Sequence, residues 1–364
     1  GFVGTNLIKR LLDDGHEVIS LDNYSTGKEE NEQEGCKYHR CELFDDIARH
    51  GAWGLEKFQL DKPDVIFHLA ALARIQPSFD TPVESFKANA LATQNILEYA
   101  RLNNIPVIYA GSSSKHGNVY SNPYTFTKWQ GEELCKLYYE IYNLNVTICR
   151  FYNVYGPYQL TEGPYCTVIG IFQKLYENNK PLTITGDGEQ RRDFTHVDDI
   201  VDGLVRCIDI DGYNEYEFGR GRNYSINEIA DAFGEDYPRE HIMAYKGEMR
   251  ETLCTDIEAI EELGWKPTMS KKLLVTNGCS WVYGDKLENP KMDNFATTLA
   301  TNAGFKMVQN LSIKKGSNAR ISRVTIHWLL EHQDEWDDMF VLIGWTGAVD
   351  RPEFFSPFQT KWVA

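Results

Sequence analysis

Positive charge is what this chain is shortest of. Its 364 residues carry 37 Lys and Arg against 53 Asp and Glu, a formal net charge of -16. Nucleic acids and anionic membrane surfaces both call for a basic face, so neither is an expected partner. Any phosphate ligand must be held by local cations. Long apolar runs are missing too: no stretch approaches the roughly 20 residues of a membrane span, and no signal peptide is visible. Cysteine occurs eight times without paired spacing, and Cys36 and Cys41 form no Cys-x-x-Cys. That pattern argues against a disulfide scaffold and for a reduced, cytoplasmic protein. No metal-ligand pattern stands out, and His327 and His332, in a helical stretch, read as surface histidines. At 42% hydrophobic and 25% charged residues the composition is that of a soluble globular protein, long enough for two or more domains.

What is present centres on Asn122-Pro123-Tyr124-Thr125-Phe126-Thr127-Lys128, preceded by Gly111-Ser112-Ser113-Ser114. A tyrosine four residues before a lysine on a helical segment brings both side chains to one face. The ammonium can then stabilise a phenolate, which a tyrosine of ordinary pKa near 10 needs if it is to act as a base at neutral pH. The upstream serine would complete a proton relay to a substrate hydroxyl. Alone, Tyr-x-x-x-Lys arises by chance in a chain with 20 tyrosines.

Taken in order, Gly1-Phe2-Val3-Gly4 opens a segment whose Leu7, Ile8, Leu11 and Leu12 recur at helical spacing, and Gly15-His16-Glu17 stops it. Val18 to Leu21 is a short buried strand ending in Asp22. A helix opening on two glycines, then a strand with an acid at its end, is the second half of a dinucleotide fingerprint. The glycines let a pyrophosphate approach the helix N-terminus, and the acid accepts hydrogen bonds from the ribose, favouring NAD over NADP. Because the text starts at Gly1 inside the motif, without its first glycine and strand, an N-terminally truncated fragment is expected. Asn23 to Gly27 is a polar loop, and Lys28 to Gly35 reads as solvated acidic surface. Pro63 to Ala71 is another buried strand running into small residues that suit close approach of a ligand, with His68 either a core or a site histidine. Residues 83–103 look helical, Pro106 to Ala110 is a strand delivering the serines, and Leu134, Leu137, Tyr138 and Ile141 form one helical face. Val146 to Cys149 is the next strand. Strand and helix alternate, so the fold class expected is α/β: a doubly wound Rossmann sheet, mostly parallel, with a smaller α/β part following.

These residues resemble the extended short-chain dehydrogenase/reductase family, the NAD-dependent nucleotide-sugar epimerases and dehydratases. The resemblance covers about residues 1–268, with a Rossmann core to about 165 and a substrate-binding part from about 166. Its motifs stand in order: Gly1-x-x-Gly4, Leu21-Asp22-Asn23, His68-Leu69-Ala70-Ala71, Ser112-Ser113-Ser114, Tyr124-x-x-x-Lys128, Arg150 to Pro157, and Gly186 to Asp199. The resemblance implies Ser112, Tyr124 and Lys128 as the catalytic relay. It implies NAD held by Gly1, Phe2, Val3, Gly4, Asp22, Asn23, Glu42, Leu69, Ala70, Ala71 and Asn89 together with Tyr124 and Lys128. A nucleotide-sugar would meet Ser113, Ser114, Asn153, Arg192, Lys246, Glu248 and Arg250, with Arg192 as a bidentate phosphate partner and Arg250 compensating for lysine at 246. For Arg250 a surface salt bridge is an equal reading. Two departures stand out: His116 replaces a usual tyrosine, and Glu42 an aspartate that reads the adenine.

Dehydratases resembling this chain place an Asp-Glu pair directly after the serine or threonine, and related decarboxylases keep a glutamate there. This chain has Ser113 and Ser114, and hydroxyls make poor acids and bases. The expected reaction is therefore 4-epimerisation of a UDP-hexose, UDP-glucose/UDP-galactose first, through a transient 4-keto sugar. A 4,6-dehydratase, or a Rossmann module without catalysis, is the alternative. Family resemblance also implies a homodimer through a helix pair.

After Gly264-Trp265-Lys266-Pro267 the text changes character. Residues 270–364 read as a second piece, a partial α/β (flavodoxin-like) segment weakly resembling a truncated SGNH/GDSL hydrolase. Gly278-Cys279-Ser280 would present the nucleophile Ser280, and Asn310 to Asn318 an oxyanion-hole glycine. The block's Asp-x-x-His is missing, so an esterase is expected to be inert, and a turn serine is the plain alternative. Arg320 to Glu331 reads as an amphipathic packing helix.

Overall fold

The computed structural model describes residues 1–45, 62–234, 236–245 and 247–267, together with the backbone of five strands between residues 272 and 363. Contacts divide the chain into two units, Gly1–Pro267 and Thr268–Ala364.

The first unit opens with α1 (Phe2–Asp13), whose Leu7 and Leu11 are buried, and β1 (Ile19–Asp22), which pairs in parallel with β2 (Lys37–Arg40). Next come β3 (Ile66–His68), α2 (Ile75–Asp80), α3 (Pro82–Phe86), α4 (Ala92–Asn103), β4 (Val107–Ser112), α5 (Pro123–Tyr142) and β5 (Val146–Phe151). They are followed by α6 (Val168–Glu177), β6 (Leu182–Thr185), β7 (Arg191–Asp193), α7 (Val197–Arg206) and β8 (Tyr213–Phe218). Strands β3, β4, β5 and β8 form one parallel sheet in that order.

Every residue of β4 is buried, as are the first five of β5, which is why β4 opens as an apolar run and the polar Thr147 and Arg150 of β5 lie inside rather than in solvent. Alternation appears instead in what each side chain meets. Ile108 packs with Val197, Ile200, Leu204, Phe218 and Trp265 on one face, while Val107 and Tyr109 pack with Leu97, Ala100, Cys135 and Tyr138 on the other. Helices on both faces of a parallel sheet make the expected doubly wound Rossmann architecture. The β1–β2 pair forms its own two-stranded sheet, and a cleft lined by Ile19, Leu21, Ile66 and Phe67 runs beside both.

Gly131 of α5 shows how closely the layers approach. A Cβ there would lie 2.1 Å from the Tyr109 hydroxyl, a buried group that cannot swing away. Gly131→Ala should therefore cost about 1–3 kcal/mol through overpacking, read as a lowered Tm.

The smaller part completes the unit with β9 (Asn223–Ser225), α8 (Ile226–Asp231), β10 (Arg239–Ile242) and α9 (Glu258–Leu263). Here β6 pairs in parallel with β10, and β7 pairs antiparallel with β9, over a core of Phe172, Leu182, Ile184, Phe194, Ile226 and Ala230. Helix α8 starts with a full capping box, Ser225 and Glu228. Asp193 is fully buried at the end of β7, and its carboxylate accepts from the amides of Arg220, Gly221 and Cys254. That tie fixes the loops at 219–221 and 252–254 against the lobe.

In the second unit, β11 (Lys272–Asn277), β12 (Met307–Asn310), β13 (Asp338–Ile343), β14 (Glu353–Ser356) and β15 (Lys361–Val363) form one sheet in the order β12-β11-β13-β14-β15. The first three strands are parallel, and the last two pair antiparallel. Lys246, the Gly278-Cys279-Ser280 block, Gly316 to Asn318, and the stretch from Arg320 to His332 lie outside the described residues.

Candidate active site

Tyr124 owes its place to the start of α5. The Asn122 side chain caps the helix by accepting from the Thr125 amide at 2.8 Å, Pro123 occupies the first turn, and the Tyr124 amide donates to Ser78 Oγ at 3.1 Å. β4 brings Ser112 up from the other side. The Tyr124 hydroxyl donates to Ser112 Oγ at 3.1 Å, and Ser112 Oγ lies 2.9 Å from Ser114 Oγ. Ser112, not its neighbours, is thus the serine in contact with the phenol.

Lys128, one turn on, is buried; its ammonium donates to the Ala110 carbonyl at 2.5 Å and sits 4.2 Å above the Tyr109 ring. Burial lowers its pKa to about 8, against the opposing pull of Glu132 and Cys135. The Tyr124 phenol is raised above its ordinary value, chiefly by burial and further by Glu132, while Ser112 and Arg74 pull it down. The cation that favours the phenolate here is Arg74, which no motif in the sequence pointed to.

Beneath the relay lies a buried charge network. Arg150 on β5 donates to Glu132 on α5 and to Glu215 and Glu217 on β8, and Glu132 Oε1 also accepts from the Ser112 amide at 3.3 Å. Lys115 pairs with Glu132 at 3.1 Å, and His116, at the position where tyrosine is usual, with Glu217 at 2.9 Å. The Glu217 hydrogen bond raises the His116 pKa more than burial lowers it.

These groups open onto a cleft of about 1340 Å³. Its walls include Gly1, Phe2, Val3, Gly4, Asp22, Leu69, Ala70 and Ala71, then Ser113, Ser114, Asn153, Arg192 and Glu248. Among the described residues a Cβ at Gly1 or Gly4 would meet no atom within 4 Å, so no side chain crowds the first turn of α1 where it lines the cleft. Asp22 stands at the end of β1 within reach of that turn, its Oδ2 at 3.1 Å from the Gly1 nitrogen. An exposed helix start beside a strand-end carboxylate fits the diphosphate and ribose of NAD, with Lys128 near the reacting end.

Other expected site residues are placed differently. Asn89 is buried away from the cleft lining, with its amide spent on Leu72 N and O and on Thr127 Oγ1, so it clamps the loop after β3. Asn23 and Glu42 bond to each other at 3.0 Å outside the lining. Asn153, with φ 27°, spends its amide nitrogen on Asp193 O and Thr252 Oγ1. Arg192 reaches Glu248 at 3.1 Å, whereas Arg250 forms an exposed two-pronged pair with Asp187 at 2.8 and 3.0 Å. His68 is a core residue: its Nε2 bonds Thr93 Oγ1 at 2.9 Å, and burial, aided by Lys128, drives its pKa to about 3.

A parallel sheet wound on both faces, with helix start, strand-end acid and Ser–Tyr relay meeting at one cleft, defines a dinucleotide-using Rossmann enzyme. Residues 1–219 match the NAD dependent epimerase/dehydratase family, and the chain belongs to that family. It is 32% identical over 293 residues to a UDP-glucose 4-epimerase of Mycolicibacterium smegmatis, covering 74% of this chain and 92% of that one. It is also 32% identical over 252 residues to a UDP-N-acetyl-alpha-D-glucosaminuronate decarboxylase of Bacillus cytotoxicus, covering 63% of this chain and 75% of that one. The crystal structure of a Thermotoga maritima UDP-glucose 4-epimerase with UDP-glucose superposes with a TM-score of 0.68 at 27% identity, covering 74% and 92%. Residues 286–360 match a family of unknown function, DUF6071, which gives the SGNH/GDSL resemblance no support.

Proposed function

We propose that this chain epimerises a UDP-hexose at carbon 4, with Tyr124 as the base. The observation that carries the reading is the Tyr124–Ser112 hydrogen bond in the cleft shared with Gly1, Gly4 and Asp22. Bound NAD supplies the hydride acceptor and donor at carbon 4. The protein moves the proton: Tyr124 Oη takes it from the carbon-4 hydroxyl and returns it, with Ser112 Oγ bridging phenol and sugar. Lys128 fixes the floor of the site through Ala110, and Arg192 is the phosphate partner at the far end.

Elimination of water or loss of a carboxyl would want a free carboxyl acid beside the relay. The carboxylate that touches Ser112 is Glu132, and it is locked by Arg150 and Lys115. Ser113 and Ser114 offer only hydroxyls. Incubating the full chain and NAD with UDP-glucose, UDP-galactose and UDP-glucuronate should give carbon-4 epimers by NMR. A 4-keto-6-deoxy sugar or a pentose as the product would overturn the reading.

The active form we propose is a homodimer. Leu137, Ile141 and Tyr142 on α5 are all exposed, as are Val83 and Phe86 on the neighbouring α3, an apolar face suited to a second copy. The paired change Leu137→Asp with Ile141→Asp should shift the mass by light scattering from dimer to monomer. All seven described cysteines are free, which supports a reducing, cytoplasmic setting.

A further inference from the structure

Ser112 meets the Tyr124 hydroxyl in one side-chain orientation, and the chain just after it sets that orientation. Ser113–His116 is a 3₁₀ turn capped by Ser112, whose Oγ accepts from the Ser114 amide at 3.3 Å and lies 2.9 Å from Ser114 Oγ. Ser112, Ser113 and Ser114 line the cleft, whereas the last two residues of the turn reach towards the carboxylates of α5 and β8. Lys115 pairs with Glu132 at 3.1 Å and with Glu215 at 3.4 Å, and His116 Nε2 lies 2.9 Å from Glu217 Oε1. Glu132 in turn accepts from the Ser112 amide at 3.3 Å, so both ends of the turn hang on one network. A Cβ at Gly111 would lie 2.8 Å from Glu132 Oε1 and 2.8 Å from Arg150 Cγ, so strand and network are already in close contact one residue before Ser112.

Within that network the carboxylates of Glu132, Glu215 and Glu217 face the cations Arg150 and Lys115, which leaves one negative charge over. The charged and titratable groups packed around the His116–Glu217 pair are Glu215 on β8, Arg150 on β5, Tyr152 just beyond it, Glu132 on α5 and Lys115 on the turn itself. We infer that His116 is a positioning residue for the relay: as an imidazolium on Glu217 it completes the charge balance, locks the serine turn and so holds Ser112 Oγ against the Tyr124 hydroxyl, a role that rests on the proposed function. The Glu217 bond favours the charged ring and outweighs burial and the repulsion from Arg150 and Lys115. Once the proton is lost, the neutral ring keeps an ordinary hydrogen bond, about half as strong as the charge-assisted one. The tyrosine usual at this position in the chains this one resembles would bring a hydroxyl without the charge, so the histidine adds an anchor that responds to pH.

In the full chain labelled with ¹³Cζ-tyrosine, NMR can follow Tyr124 by itself, its signal identified by its loss in Tyr124→Phe. Between pH 6 and pH 9 that signal should shift in step with the His116 ring protons. His116→Gln, which keeps a donor without the charge, should remove the inflection, and His116→Lys, charged throughout, should hold the signal at its low-pH position. In turnover of the UDP-hexose, kcat of His116→Gln should lie about 5- to 10-fold below the parent chain at pH 6, with KM within about twofold, as weakening of a charge-assisted pair gives. That gap should close towards pH 9, so turnover climbs more steeply with pH in His116→Gln than in the parent, and His116→Lys should show no gap at pH 6. A Tyr124 signal indifferent to the His116 titration, or a parent-to-variant rate ratio equal at every pH, would overturn the inference and leave His116 a structural ring. If the Tyr124 signal follows His116 while no nucleotide-sugar turns over, the proposed function falls and the positioning role stands.

Discussion

Changing Tyr124→Phe lowers nucleotide-sugar turnover by about 10³-fold, with NAD affinity and Tm nearly unchanged, because the variant removes one oxygen and no packing. The Tyr124 hydroxyl is the atom that touches Ser112 Oγ, and Ser112 keeps its second partner, Ser114, when the phenol oxygen is gone. The pH dependence follows from the same surroundings. Burial, with Glu132, holds the phenol above its ordinary pKa, so the base form gains population as pH rises through neutrality. Lys128 loses its charge above its own pKa of about 8. Turnover of the unmodified chain should rise from pH 6 to pH 8 and fall off in Tyr124→Phe at every pH; a residual rate within tenfold of the parent would assign the base elsewhere.

The second large effect is on stability. Arg150→Met should destabilise the first unit by about 3–5 kcal/mol, since Glu132 and Glu217 are left buried without their main counter-charge. Arg150 is 4% exposed, Glu132 2% and Glu217 4%, so water cannot take over. The triple change Arg150→Met, Glu132→Gln and Glu217→Gln should recover much of the loss, because no isolated charge then remains. The same network sets a pH window. Burial pushes Glu215 up, but Tyr213, Arg150 and Lys115 outweigh it and hold its pKa at about 2, and Glu217 is likewise held low by His116 and Arg150. Carboxylates depressed in the folded state contribute stability that is present above their ordinary pKa of about 4.3. Urea denaturation should show that contribution lost as pH falls from about 4.3 towards 2. His116 works in the other direction: its raised pKa adds stability that is complete below its ordinary 6.5 and fades as pH climbs past the folded value.

Local chemistry made the relay and the cofactor end legible from the chain alone. Tyr124 and Lys128 are one turn apart after an Asn-Pro helix start, and Gly1, Gly4 and Asp22 sit at a helix start and a strand end, so short spacings announce them. The parallel sheet was legible for the same reason, since short strand segments alternate with helical ones along the chain. Arg74 was not legible, because its neighbours in charge come from three separate stretches of sequence. Nor was the charge network: Arg150 meets Glu132 18 residues away and Glu217 67 residues away, through a sheet register that spacing does not encode. The contacts Asn89 makes in the structure, to the backbone of Leu72 and to Thr127 Oγ1, carry no sequence signal. His116 looked like a defect in a motif and is instead a ring that bonds Glu217 at 2.9 Å.

The measurement that tests the account most directly is NMR of the sugar product formed in D₂O by the full chain with NAD, using UDP-glucuronate and UDP-glucose. If Tyr124 moves only the hydroxyl proton and the carbon-4 hydrogen travels as hydride, the product is the carbon-4 epimer with protium retained at carbon 4 and no deuterium at carbons 5 or 6. Deuterium at any of these carbons, or a product lacking oxygen at carbon 6, would contradict it.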